Sequence, residues 1–199
     1  MKNVSDTIQI SDVEKSLIIN NGWLTDRIID AAQSLLRNQY SEKICGLDTP
    51  LLSQKKSGFD AAGYQCLQIH YDENRNHWFT SSSVNMRIEV ADSIPYTKKL
   101  TESTKHQLKT RYSSLVNDDG YLQVYIIPCD QQPNGNDCGL YAIANAIEFL
   151  VDNPSNHQYD NSKMRQHLIQ CFEVGVLSSF PKLCRRGKRA VETIITVKL

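Results

Sequence analysis

No stretch of this 199-residue chain approaches the about 20 consecutive apolar residues that a bilayer-spanning helix needs, so no membrane span is expected. The opening MKNVSDTIQISDVEK lacks an apolar segment, so no secretory signal is expected either. Neither sign of charge is in excess, with 22 Lys and Arg against 22 Asp and Glu, which leaves no electrostatic case for a nucleic-acid or membrane partner. The six cysteines, Cys45, Cys66, Cys129, Cys138, Cys171 and Cys184, include no CxxC pair, so a zinc site of the usual spacing is not expected. A chain of this length builds its own core and does not need disulfide staples. Reduced thiols, and therefore the cytoplasm or nucleus, are the reading. Internal repeats and low-complexity linkers are also missing.

What remains is an ordinary globular composition, 40% hydrophobic and 22% charged. The length suits one domain, taken as residues 1–199 with 1–11 and 182–199 peripheral. Lys182, Arg185, Arg186, Lys188 and Arg189 form a basic cluster, read as a solvated tail, with a nuclear address or an acidic partner as the alternative.

Residues 1–20 show little pattern, and Asn20-Asn21-Gly22 is a turn signal. Beyond it Ile28, Ile29, Ala32, Leu35 and Leu36 recur at helical spacing, with Thr25 or Asp26 as N-cap. Residues 45–63 read as loop. Three apolar or β-branched runs, 64–71, 77–84 and 86–91, predict a strand meander. Residues 97–116 read as helix and 122–127 as a short buried strand. A loop of Gln, Pro, Asn and Gly over 130–136 leads into a helix from Asp137, whose first turn contains Cys138. Residues 160–180 give a last helix. Strands and helices in separate runs suggest an α+β domain.

Cys138 differs from the other cysteines in its surroundings. It follows a polar turn and opens an apolar helix, where the N-terminal N–H groups favour a thiolate, the attacking species. Gly139 beside it would let a substrate backbone come close. His77 begins one predicted strand and Asp92 ends the next. Antiparallel pairing would bring imidazole and carboxylate to one sheet edge, as a nucleophile–base–orienter triad requires. Taken singly, each has a plainer reading, as a packed cysteine, a surface histidine and a turn aspartate. Gln132 or its neighbour Gln131 could donate to a tetrahedral oxyanion together with the Cys138 N–H, and spacing does not choose between them.

Four segments, in order, resemble the Ulp/SENP family of cysteine peptidases that act on ubiquitin-like proteins. They are Trp23-Leu24-Thr25-Asp26, His77-Trp78, Ala91-Asp92-Ser93, and Gln132-Pro133-Asn134-Gly135-Asn136-Asp137-Cys138-Gly139. The resemblance runs from about residue 12 to about residue 180 and implies a papain-like, adenain-like fold. It implies a mixed central sheet flanked by helices, with the nucleophile at a helix N-terminus. It also implies Cys138 as nucleophile, His77 as base, Asp92 as orienter and Gln132 as oxyanion donor. Trp23 and Trp78 match positions that form a narrow tunnel around a Gly-Gly tail, and Asp26 matches a residue near that tail. The implied partner is a ubiquitin-like protein (SUMO, a Nedd-type modifier or ubiquitin) with its conjugates, cut by a monomer that needs no metal or organic cofactor. Two departures stand out: Thr25 where better-known members have Asn, and a polar Phe-Thr-Ser-Ser-Ser run after Trp78. Rival readings are a module that binds such a modifier without cutting it, an acetyltransferase of related architecture, and a disulfide-bonded secreted protein.

Overall fold

The computed structural model describes residues 9–55, 58–94, 99–183 and 192–198. Six strands form one mixed sheet in sequential order: β1 (Cys45–Gly46), β2 (Cys66–Asp72), β3 (His77–Ser82), β4 (Ile88–Ala91), β5 (Tyr121–Ile127) and β6 (Thr193–Lys198). The predicted meander is β2–β3–β4, antiparallel throughout, with Asp72 opposite His77 and Thr80 opposite Ala91. β4 and β5 run parallel, β5 and β6 antiparallel, and β1 pairs parallel with β2. The fold is α+β.

Side chains alternate across a strand, so each strand feeds both faces of the sheet. Leu67, Ile69, Trp78, Ala91 and Ile127 join one core with helices α1 (Asp12–Ile19), α2 (Asp26–Tyr40), α4 (Cys138–Val151) and α5 (Asn161–Val174). Cys66, Phe79, Ile88, Val90, Leu122 and Val124 join the other, with Leu108 of α3 (Glu102–Arg111), Tyr112 and Val197 of β6. Helix α4 is buried along most of its length and lies on β3, where the Thr80 hydroxyl donates to the Ala142 carbonyl at 2.7 Å. The polar run after Trp78 is fully buried because each hydroxyl has a partner. Ser81 meets His70 and Tyr112, both at 2.7 Å; Ser82 accepts from the Val84 N–H; and Ser83 donates to the Gly63 carbonyl.

Several elements differ from the sequence reading for local reasons. Helix α1, where little pattern was visible, starts on a capping box between Ser11 and Glu14. The N-cap of α2 is Thr25, whose hydroxyl accepts from the Ile28 N–H, so Asp26 stands inside the first turn. The stretch 45–63, expected as loop, contains β1 and a 3-10 turn at Pro50–Gln54. Helix α3 is shorter than the expected 97–116, because a 3-10 turn at Ser113–Leu115 follows it. Helix α5 ends earlier than 180, at Gly175, which takes the left-handed conformation (φ 76°) that closes helices. Within the segment expected as peripheral, Thr193–Lys198 adds the edge strand β6. Of the basic cluster, only Lys182 lies within the described residues.

Candidate active site

β3 starts at His77, and Asp92 follows directly on the last residue of β4, so adjacent antiparallel strands bring both to one end of the sheet. The next strand, β5, is parallel to β4 and ends at the same edge, where the loop 128–137 carries the chain into α4 and Cys138. All three side chains are buried: Cys138 at 4% exposure, His77 at 2% and Asp92 at 4%. The His77 Nε2–H donates to Asp92 Oδ1 at 2.6 Å, and the Cys138 side chain lies near enough to the ring to favour its charged form. With Nε2 turned to Asp92, Nδ1 is the nitrogen left for the sulfur.

Burial of the ring opposes its charge, but the bond to Asp92, the nearby Cys138 side chain and the Asp92 charge outweigh it, and the His77 pKa rises to about 9. Burial likewise opposes charge on Asp92. The bond and charge of His77, followed by those of Arg75, nevertheless hold its pKa below the usual carboxylate range. An imidazolium facing a thiolate, with a carboxylate behind it, is the ground state a cysteine nucleophile needs.

Other groups fix this row. Arg75 Nη2 donates to Asp92 Oδ2 at 2.6 Å, while its Nε donates to Asp72 at 2.8 Å. The Ile94 N–H donates to Asp92 Oδ1. Asp137, the residue before Cys138, does not cap α4 with its side chain. Its carboxylate accepts instead from Arg165 Nε and Nη2 (3.0 and 2.6 Å) and from the side-chain amides of Asn134 and Asn161. Helix starts leave N–H groups without intrahelical partners, and here no capping side chain covers them. Arg165 also donates to the carbonyls of Ile18 and Gly22, tying the turn before Trp23 to the loop before Cys138. Replacing Arg165 with Met is expected to lower stability by about 3–5 kcal/mol, because it leaves the buried Asp137 charge unpaired. Urea unfolding measures the loss, and adding Asp137→Asn should recover most of it.

A cleft of about 390 Å³ adjoins this row, lined among others by Trp23, Asp26, Leu51, Tyr71 and Trp78. Trp78 is 7% exposed, stacks at a tilt on Tyr71 (4.8 Å between centroids) and donates Nε1–H to the Leu24 carbonyl. Trp23 is 49% exposed, and its indole N–H donates to Asn136 Oδ1 in the loop before Cys138. Gly139 does not face open space: an added Cβ would stand 3.0 Å from Leu24 Cβ and 3.2 Å from Trp78 Cδ1. Its lack of a side chain allows the close approach of α4 to the Trp78 wall.

Gln131 and Gln132 differ in their hydrogen-bond partners. The Gln131 amide donates to the carbonyls of Cys129 and Asp92 (3.0 and 3.4 Å). The Gln132 amide donates once, to the Asn134 carbonyl at 2.5 Å.

Residues 14–174 match the Ulp1 protease family, C-terminal catalytic domain. The chain belongs to that family. Among solved structures, this Ulp1-family chain is similar to the SUMO protease Ulp1 with its catalytic cysteine oxidised to a sulfinic acid (17% identity, 86% of each chain, TM-score 0.64). It is also similar to the C-terminal Ulp1 protease domain in complex with Smt3, the yeast orthologue of SUMO (18% identity, 85% of each chain, TM-score 0.63). A third is the Ulp1-like SUMO protease catalytic domain of Chaetomium thermophilum (13% identity, 80% of this chain and 75% of that one, TM-score 0.53). No curated protein sequence matches significantly. The family match makes the chain a cysteine peptidase domain, and the structural likenesses bear on its fold.

The sequence reading did not single out Arg75, Arg165 or the Ser93 side chain. The one available signal was the arginine in the polar stretch just before His77, which nothing local separates from a solvated turn residue. Among the described residues, one group has the makings of a metal site: Glu148, Asp152 and His157. There Lys182 Nζ lies 2.8 Å and His157 Nε2 3.1 Å from Glu148 Oε2, so the Lys182 ammonium already faces the buried carboxylate. The group ties the end of α4 to the bridge between Tyr159 and Lys182. No described helix is long and apolar enough to cross a membrane.

Proposed function

We propose that this chain hydrolyses the peptide or isopeptide bond after the Gly-Gly tail of a ubiquitin-like modifier such as SUMO, acting as a single-domain monomer in the cytoplasm or nucleus. The observation that carries this is the His77–Asp92 hydrogen bond with buried Cys138 beside the ring, next to a cleft walled by both tryptophans. Cys138 attacks the scissile carbonyl carbon, forming a C–S bond and an oxyanion. The backbone N–H of Cys138 and the second side-chain amide hydrogen of Gln132 receive that oxyanion. His77 gives its proton to the leaving amine as the C–N bond breaks, then takes one from the water that opens the thioester. No step calls for a metal or an organic cofactor. A module that only binds the modifier would have no use for an imidazole held between a thiol and a carboxylate. The five described cysteines are free thiols, which supports a reducing compartment.

Trp23 and Trp78 are read as tunnel walls, with Asp26 at the mouth. A 7% exposed indole fits either a core or a slot, but a half-exposed one beside it, fastened to the nucleophile loop, supports the slot. Flat walls at fixed spacing admit glycine and reject a side chain by overlap.

A panel of C-terminal vinyl-sulfone probes built on SUMO, a Nedd-type modifier and ubiquitin tests the proposal. At least one should label Cys138, with SUMO expected first. Failure of every probe to label folded protein, or acetyl transfer from acetyl-CoA without cleavage, would overturn it. In the same assay Trp78→Ala should lower cleavage of Gly-Gly tails and narrow the gap between Gly-Gly and Gly-Ala. An unchanged ratio together with a large fall in Tm would make the ring a core residue only.

A further inference from the structure

The loop before Cys138 and the end of β4 meet at one residue. The Ser93 hydroxyl donates to Gln132 Oε1 at 2.6 Å, and the Gln132 backbone N–H donates to the Ser93 carbonyl at 3.2 Å. Ser93 is 3% exposed, so no solvent competes for its hydroxyl. A primary amide has an acceptor end and a donor end of nearly the same shape. Turned by 180°, Gln132 would point its oxygen at the forming oxyanion and raise the barrier it is meant to lower. The Asn134 carbonyl can only accept, so it draws Nε2 to itself at 2.5 Å and sends Oε1 the other way. Ser93 receives that oxygen and stops the amide from swinging. Of the two amide hydrogens one is committed to Asn134, and the second is left to donate.

We propose that Ser93 is a positioning residue for the oxyanion donor. It locks the Gln132 amide with a hydrogen toward the reacting carbonyl, and it couples that donor to the carboxylate one residue earlier that holds the base. The inference rests on the reading of Gln132 given under Proposed function. Asp92 and Ser93 are consecutive, so one strand end sets the orientation of both the general base and the oxyanion hole, and a shift of β4 moves them together.

The test is a double-mutant cycle on the full chain with a SUMO C-terminal coumarin amide as substrate. Gln132→Ala should lower kcat by about 100- to 1000-fold, the usual loss of an oxyanion donor. Ser93→Ala should lower kcat by about 10-fold or more with KM nearly unchanged, and Ser93→Thr, which keeps the hydroxyl, should restore most of it. In the Gln132→Ala background Ser93→Ala should cost nothing further, because its effect passes through the missing amide. The alkaline limb of the pH profile should stay where it is in wild type, since the His77–Asp92 bond is untouched. A Gly-Gly aldehyde, whose adduct carries the oxyanion, should bind Ser93→Ala more weakly, while the rate of simple alkylation of Cys138 stays the same.

Equal losses from Ser93→Ala in both backgrounds would overturn the proposal, as would an unchanged kcat in the single mutant. So would a Ser93→Thr variant that folds with a wild-type Tm yet turns over about 10-fold or more slower than wild type. The last outcome decides the question even if Ser93→Ala fails to fold. A wild-type enzyme that turns over while Gln132→Ala loses nothing would instead refute the oxyanion reading on which this one stands.

Discussion

Cys138→Ala is expected to lose turnover by about five orders of magnitude or more while keeping its Tm, since among the described residues no other thiol acts on the His77 ring. Cys129 is the nearest rival by position. Its Sγ–H donates to the Asp92 carbonyl, and burial pushes its pKa up to about 12, so it stays protonated. Cys66 is raised to about 12 by burial in the opposite core. Cys171 does touch a histidine, with its sulfur 3.4 Å from His167 Nε2, but that nitrogen also faces the Ser178 carbonyl at 3.1 Å and so is a donor there, not a base. Ser substitutions at Cys129 and Cys171 should leave kcat within a few-fold of wild type, as stopped assays of the purified variants would show. Turnover surviving in Cys138→Ala, or lost in Cys129→Ser, would defeat the assignment.

The second large effect is at His77. Its replacement by Ala should lower kcat by about 10³- to 10⁴-fold or more, whereas Asp92→Asn should leave measurable activity, because the orienter does not itself exchange a proton with the substrate. The pH profile distinguishes the two. With the imidazolium as the proposed acid for the leaving amine, kcat/KM should fall as pH rises through about 9, the value to which its surroundings lift His77. Asp92→Asn removes a bond and a charge that raise this pKa, so the alkaline limb should move to lower pH. Arg75 lowers it, so Arg75→Gln should move the limb the other way, even though it also loosens Asp92. Two neutralising substitutions around one ring, shifting one limb in opposite directions, cannot come from general destabilisation. Two shifts of the same sign would contradict the arrangement. Stability carries the same signature. A pKa raised above its ordinary value means the charged ring stabilises the fold fully below about pH 6.5, and that contribution is lost as pH rises through about 9. The stability of His77→Ala should therefore vary less over that range than that of wild type.

Much of this arrangement is legible in the sequence because it is written locally. The helical spacing after Thr25, the apolar and β-branched runs of the meander and the apolar run after Cys138 depend only on near neighbours, and α2, β2–β4 and α4 stand where those patterns put them. The four segments of the site lie at element ends, and ends carry the turn residues that mark them. Some local signals went unread: Ser11 and Glu14 have the spacing of a capping box, and Gly175 has the place of a helix stop. Other features have no local trace. Arg75 matters because Asp72 and Asp92 converge on it, and Arg165 because Asp137, Ile18 and Gly22 do. Ser93 matters because a loop from beyond β5 returns to it. β1 and β6 are strands only through the edges they join. The choice between Gln131 and Gln132 was open for the same reason, since it depends on which carbonyls lie opposite.

The parallel pairing of β4 with β5 also has a consequence in time. Ile88 pairs with Val124 and Ala91 with Ile127, so this ladder forms only after helix α3 and its flanking turns have been looped out. Parallel, non-local pairing is slow, because the closure entropy is lost before any contact repays it. The hairpin β2–β3–β4 can hold His77 and Asp92 beside each other early, but Gln132 and Cys138 arrive only with β5. A refolding chain would thus recover its far-ultraviolet signal ahead of its catalytic competence, and the delay between the two would clock a single late strand-docking event.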